Sequence, residues 1–131
     1  MAVLAPITDA EASAEVALVF DDIRATRGSD FINNFWRHLA HDPALLKATW
    51  DRLKTVMGPG ALDPLVKEML YIAVSAANSC EYCVHSHTAA AKAKGMTAEQ
   101  HGELLAVIGM AQQTNGLVTA LQVPVDEAFK T

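Results

Sequence analysis

The sequence predicts an all-α protein, and three observations carry that expectation. Of its 131 residues 51% are hydrophobic, with only 7 glycines and 5 prolines, the composition of packed helices rather than of loops. Apolar residues recur at three- and four-residue intervals, and the breaks between those runs hold N-cap residues, first-turn prolines and terminal glycines. No segment shows the period-2 alternation and β-branched enrichment of a strand, and no repeat, linker or low-complexity block intervenes. For this length the expectation is one domain over 1–131.

About six helices follow in order. Thr8 and Glu11 have capping-box spacing, and Val16, Val19, Phe20 and Ile23 recur at helical intervals until Gly28 offers a C-cap, so the first helix is expected over about 9–27. Ser29 or Asp30 is placed to cap a second helix carrying Phe31, Phe35, Trp36 and Leu39. Asp42-Pro43 starts a third, which runs to about Met57, where "GPG" at 58–60 punctuates the chain. Asp63-Pro64 starts the fourth, over about 64–77. Ser79 is placed to cap a fifth from Cys80 to about Lys94, closed by Gly95; Thr97 and Gln100 box the start of a sixth, expected to end near Gly116. The tail "VPVDEAFKT" reads as irregular or as a short turn.

Charge and hydropathy narrow the function classes. The net charge is -5 and the ten basic residues are scattered singly, which leaves no footprint for a phosphate backbone and argues against nucleic acid. The longest apolar run, "MLYIAVSAA" at 69–77, is far short of the ~18 residues of a membrane span, and the start lacks the basic and apolar regions of a signal peptide. A soluble, cytoplasmic protein without a membrane partner is expected. The helix over 64–77 is apolar on nearly every side, more than a small monomer buries, so a homo-oligomer is expected.

The chemistry concentrates in "SCEYCVHSHT" at 79–88, which holds both cysteines and two of the five histidines. A C-x-x-C in a reducing compartment reads as redox-active or metal-binding rather than as a static bridge. On a helix over 80–94, Cys80, Cys83 and His87 fall within an arc of about 60°, while His85 points some 140° from Cys80. Cys80 in the first turn would be favoured as thiolate by the helix dipole, and Cys83 by the imidazole of His87 at i,i+4. The contacting base favours Cys83 as the nucleophile, with Cys80 resolving a sulfenic acid into a Cys80–Cys83 disulfide. Upstream, Glu68 lies on the margin of the apolar stripe Leu65, Met69, Ile72 and Ala76, placed to orient His87 or take its proton.

Glu68, eleven residues, Cys80-x-x-Cys83, three residues, His87 resembles the signature of the AhpD-like alkylhydroperoxidase branch of the carboxymuconolactone decarboxylase family. The segment "PGALDPLVKEMLYIAVSAANSCEYCVHSHTAAAKAKGMT" at 59–97 is similar to the family core, and the resemblance is strong over about 43–110. It implies an all-helical trimer or hexamer with cofactor-free hydroperoxide reductase activity. Cys83 matches the peroxidatic cysteine, Cys80 the resolving one, and Glu68 and His87 the proton relay. It further implies a hydroperoxide substrate and a thiol or lipoylated protein as reductant. Some members have histidine where this chain has Tyr82.

Three other readings stand beside this one. Cys80, Cys83 and His87 are plausible zinc ligands, with His85 or Glu68 as a fourth, in a zinc-binding or redox-sensing module without turnover. An enzyme of the wider family acting on a ring or lactone substrate is another, disfavoured because the decarboxylase members lack the cysteine pair. Burial of both cysteines as small hydrophobes is the third. His38, His41 and His101 read as surface residues, and Trp36, Trp50 and Phe35 as core or interface.

Overall fold

The computed structural model describes residues 2–130, and among them it contains helices and one 3₁₀ turn but no strand. The helices are α1 (Ala14–Arg27), α2 (Asn34–Leu39), α3 (Pro43–Met57), α4 (Pro64–Ala77), α5 (Glu81–Ala93) and α6 (Ala98–Leu121), with the turn at Glu127–Phe129. The all-α expectation of six helices is met. The chain divides into two compact units, with the boundary between Gly58 and Pro59, inside the punctuation read from the sequence.

The first unit closes a conventional apolar core. Val16, Val19, Phe20 and Ile23 of α1 meet Ile32, Trp36, Ala40, Leu46 and Trp50, the i, i+3, i+4, i+7 stripe that the periodicity marked. Trp36 and Trp50 pack edge to face with centroids 5.4 Å apart. The Trp50 indole N–H donates to Asp22 Oδ2 at 2.6 Å, and Lys54 donates to the same oxygen, so the buried ring keeps its polar atom satisfied. The segment before α1 is tied down by Ile7, whose N–H donates to the Arg37 carbonyl while the Arg37 guanidinium donates to the Ile7 carbonyl.

Two boundaries in this unit depart from the sequence reading. The Thr8–Glu11 link forms, with both the Thr8 amide and hydroxyl donating to Glu11. It closes a turn, however, and α1 begins only at Ala14 because Ser13 caps the Val16 amide. α2 starts at Asn34 rather than after Ser29 or Asp30: the Ser29 hydroxyl accepts from the Phe31 amide two residues on, and the Asp30 carbonyl is taken by Arg24. A hydroxyl that bonds its own turn is not free to cap a helix. His38 is half-buried rather than a surface residue, with Nε2 enclosed and unpartnered.

The second unit packs α4 against α5 and α6 around Ile72, Ala91 and Met96, with Leu65, Met69, Leu104 and Ile108 on its margin. α4 occupies the expected span, Asp63 capping Leu65 N–H ahead of Pro64. The predicted capping box of α6 is present, Thr97 and Gln100 each satisfying the other's amide. α6 nevertheless runs five residues past Gly116, to Leu121. A glycine inside a helix costs only about 1 kcal/mol relative to alanine and ends a helix when it is needed in a left-handed cap; here that cap is Gln122, at φ 50°.

No residue of α6 is fully buried, and Leu105, Val107, Met110, Leu117, Val118 and Leu121 are each at least half exposed. By length and composition α6 is apolar enough to cross a membrane. In the sequence its apolar run, "LLAVIGMA" at 104–111, is cut short by Gln112, Gln113, Thr114 and Asn115.

Candidate functional site

The site is built at the corner between α4 and α5. α4 ends in a Schellman arrangement: Cys80 N–H donates to Ser75 O and Ser79 N–H to Ala76 O, which requires a left-handed residue between them. Ser79 takes that role at φ 55°. The chain thereby reverses without a linker, since the residue that completes the cap of α4, Cys80, is also the N-cap of α5.

This corrects the position read for Cys80. It precedes the helix rather than occupying its first turn, and its Sγ accepts from Cys83 N–H at 3.3 Å, the bond a serine oxygen ordinarily makes. Ser79, expected as the cap, is spent on the reversal. As the N-cap, Cys80 stands just outside the regular turn of α5 on which Cys83, His85 and His87 lie. Cys80 and His85 line a recess of about 240 Å³ with Ser75, Ala76, Ser79, Glu81 and Val84. The sulfurs of Cys80 and Cys83 are joined as a disulfide, with Cα atoms 5.3 Å apart.

Glu68 lies at the centre of α4's packed face rather than on its margin. It is 4% exposed, beside Ile72 and Ser75 on the same side of the helix. His87 Nδ1 lies 2.7 Å from Glu68 Oε2 and Lys94 Nζ 2.9 Å from Glu68 Oε1. Burial pushes the Glu68 carboxyl upward, but the bonds from His87 and Lys94 outweigh it and hold the group below its ordinary value. The carboxylate is ionised near neutral pH. The Tyr71 ring, one turn beyond Glu68, stacks on the His87 imidazole at 3.6 Å and 18°.

The structure thus brings all four of the sequence-read residues to one corner: Glu68 from α4, Cys83 and His87 one turn apart on α5, and Cys80 as the cap of α5. Among the described residues no group of three or more His, Cys, Asp or Glu side chains is arranged to hold a metal ion. Both sulfurs of the alternative zinc set are bonded to each other. Sequence reasoning missed Tyr71 and Lys94. Lys94 was legible, since Cys83, His87 and Lys94 fall within an arc of about 40° on a helix of this sense; Tyr71 carried no signal beyond its i+3 spacing from Glu68.

The family model for the carboxymuconolactone decarboxylase family matches residues 43–126. The chain belongs to that family. It is an AhpD-like member: over 91 residues it is 33% identical to an alkyl hydroperoxide reductase AhpD from Solibacter usitatus, which covers 70% of this chain and 50% of that protein. The chain spans about half the length of this curated relative. A crystal structure of an alkylhydroperoxidase AhpD core from Rhodospirillum rubrum superposes with a TM-score of 0.97 at 69% identity, covering all of this chain and 98% of the other. The fold is that of the AhpD core, and the family match extends the segment of resemblance from 110 to 126.

Proposed function

We propose that this protein is a thiol-dependent hydroperoxide reductase. The observation that carries the reading is the buried Glu68–His87 pair at 2.7 Å, one helical turn from a cysteine bonded to its C-x-x-C neighbour.

In the reduced protein His87 accepts the Cys83 proton, and the thiolate attacks the terminal peroxide oxygen. The O–O bond breaks, Cys83 becomes a sulfenic acid, and the departing alkoxide takes a proton to leave as the alcohol. Cys80 then attacks the Cys83 sulfur, expelling hydroxide as water and giving the disulfide seen here. Two electrons and two protons from a thiol or dithiol donor restore both thiols. Cys83 is peroxidatic and Cys80 resolving in this scheme, with Glu68 and His87 as the relay. The alkyl hydroperoxide reductase name of the relative and the core structure of an alkylhydroperoxidase support it.

The same reading carries a homo-oligomer, a trimer or hexamer, in a cytoplasmic compartment. Exposed apolar residues on α4 (Leu70, Val74) and along α6 support the assembly, since surfaces of that extent are ordinarily covered. A thiol donor must also be present to recycle the disulfide, which the cytoplasm supplies.

One equivalent of hydroperoxide added to the reduced, metal-stripped protein is expected to remove both thiols and two mass units. Cys83→Ser should abolish peroxide consumption with the helices intact, and Cys80→Ser should allow one turnover and stall at an oxidised Cys83. Two thiols still free after minutes, or turnover by the Cys83→Ser variant, would refute the assignment.

A further inference from the structure

We propose that Lys94 is a positioning residue of this site: bound to one oxygen of Glu68, it fixes the carboxylate as an acceptor, so that His87 carries its proton on Nδ1 and keeps Nε2 as its basic nitrogen. The proposal rests on the peroxidase reading for its consequence but not for its geometry.

A contact of 2.7 Å between His87 Nδ1 and Glu68 Oε2 needs one proton between the two atoms. Either the imidazole donates to a carboxylate or a carboxylic acid donates to the imidazole. The ammonium of Lys94 at 2.9 Å from Oε1 decides between them, because an adjacent positive charge favours the carboxylate over the carboxylic acid. The same Glu68 is nearly inaccessible to water. Without Lys94, burial would act against the ionised form with only the imidazole to oppose it. The proton accordingly sits on Nδ1, and the lone pair of the neutral ring is at Nε2.

The fold supplies the lysine in a place where its charge remains supported. Lys94 caps the C-terminus of α5, its N–H bonding the carbonyls of Ala90 and Ala91, and a cation is favoured at that end of a helix. Its side chain is 40% exposed, so the ammonium is only partly desolvated. It lies seven positions after His87, two turns on one face, which is why both reach the same carboxylate. Tyr71, stacked on the imidazole, holds the ring plane while Glu68 holds its edge. The consequence narrows the relay of the proposed function: the proton leaving Cys83 stops at His87, and Glu68 serves by orienting that base rather than by taking the proton onward.

The test reads the imidazole directly. In reduced, ¹⁵N-labelled protein, the His87 ring nitrogens, assigned by their loss in His87→Gln, should show the Nδ1–H tautomer. Lys94→Met should mix the tautomers and slow alkylation of Cys83 by iodoacetamide, measured in a Cys80→Ser background, by about tenfold, a modest part of a general base's usual contribution. Lys94→Arg should restore both. If Lys94 acts through Glu68, Lys94→Met should cost nothing further once Glu68→Gln is present. An Nε2–H tautomer in the wild type, an unchanged tautomer in Lys94→Met, or additive losses in the double variant would overturn the proposal. None of these readings uses peroxide, so a protein that shows them but consumes no hydroperoxide would refute the enzymatic reading and leave the role of Lys94 standing.

Discussion

The two units bury different things. Residues 2–58 enclose nine hydrophobic side chains and no acidic one, whereas residues 59–130 enclose three hydrophobic side chains together with Glu68 and Ser75. The first unit is held by packing, and an acid there, Asp22, sits half-exposed at the rim with Lys54 and Trp50. In the second an ionised carboxylate is placed where the first has tryptophan and leucine. Burying a charge is costly unless it is paired, so the second unit gives up apolar core for a site, and its stability depends on two partners staying in place.

That contrast is open to direct attack. The largest effect is expected from Trp36→Ala in the first unit, which removes a 2%-exposed ring packed on Trp50 and should cost about 3–5 kcal/mol, read as a lowered urea midpoint in Trp50 fluorescence. Glu68→Gln keeps the shape of its side chain and removes the charge that His87 and Lys94 bind. A loss of roughly 1.5–3 kcal/mol is expected, the range for charge-assisted hydrogen bonds, and a neutral result in far-UV circular dichroism melts would show that the pair is not structural.

Acid should reach the same bond. The Glu68 carboxyl is held below its ordinary 4.5, so its folded-state value is lower than its unfolded one. The stabilisation is therefore complete above about pH 4.5 and lost as pH falls through the depressed folded value. Glu68→Gln should unfold with a shallower acid dependence than the wild type; identical acid profiles would contradict this.

The smallest effect sharpens the comparison at the backbone. Each unit has a left-handed residue after a helix: Gly28 at φ 64° in the first and Ser79 at φ 55° in the second. Only glycine adopts that region without strain, and strained residues persist where the surrounding structure demands them. Ser79→Gly should stabilise the chain by up to about 1 kcal/mol, the strain relieved less the extra entropy of an unfolded glycine. No gain in thermal midpoint would mean that the Ser79 side chain stabilises the corner by as much as its backbone strains it.

How legible each region was follows from the range of the forces involved. α4 was readable to the residue, because Asp63-Pro64 starts it and the apolar stripe fills it by local rules alone. The spacing of Glu68, Cys80, Cys83 and His87 was equally visible. What escaped was competition between neighbours for the same polar groups. Ser13 displaced Thr8 as the cap of α1, and the cysteine displaced Ser79 as the cap of α5 because the serine was needed for the left-handed turn. The burial of Glu68 escaped as well: periodicity placed it on a margin, and only packing against α5 and the ion pair from Lys94 explain a carboxylate in the interior.

The capping bond from Cys83 N–H to Cys80 Sγ makes the backbone a redox indicator. The acceptor of that amide is one of the two sulfurs joined in the disulfide, and the amide belongs to the residue that carries the other. Its proton resonance and exchange rate should therefore follow the oxidation state without any attached probe. A single cross-peak would then distinguish the dithiol from the disulfide, and would show whether the first turn of α5 loosens when the sulfurs are parted.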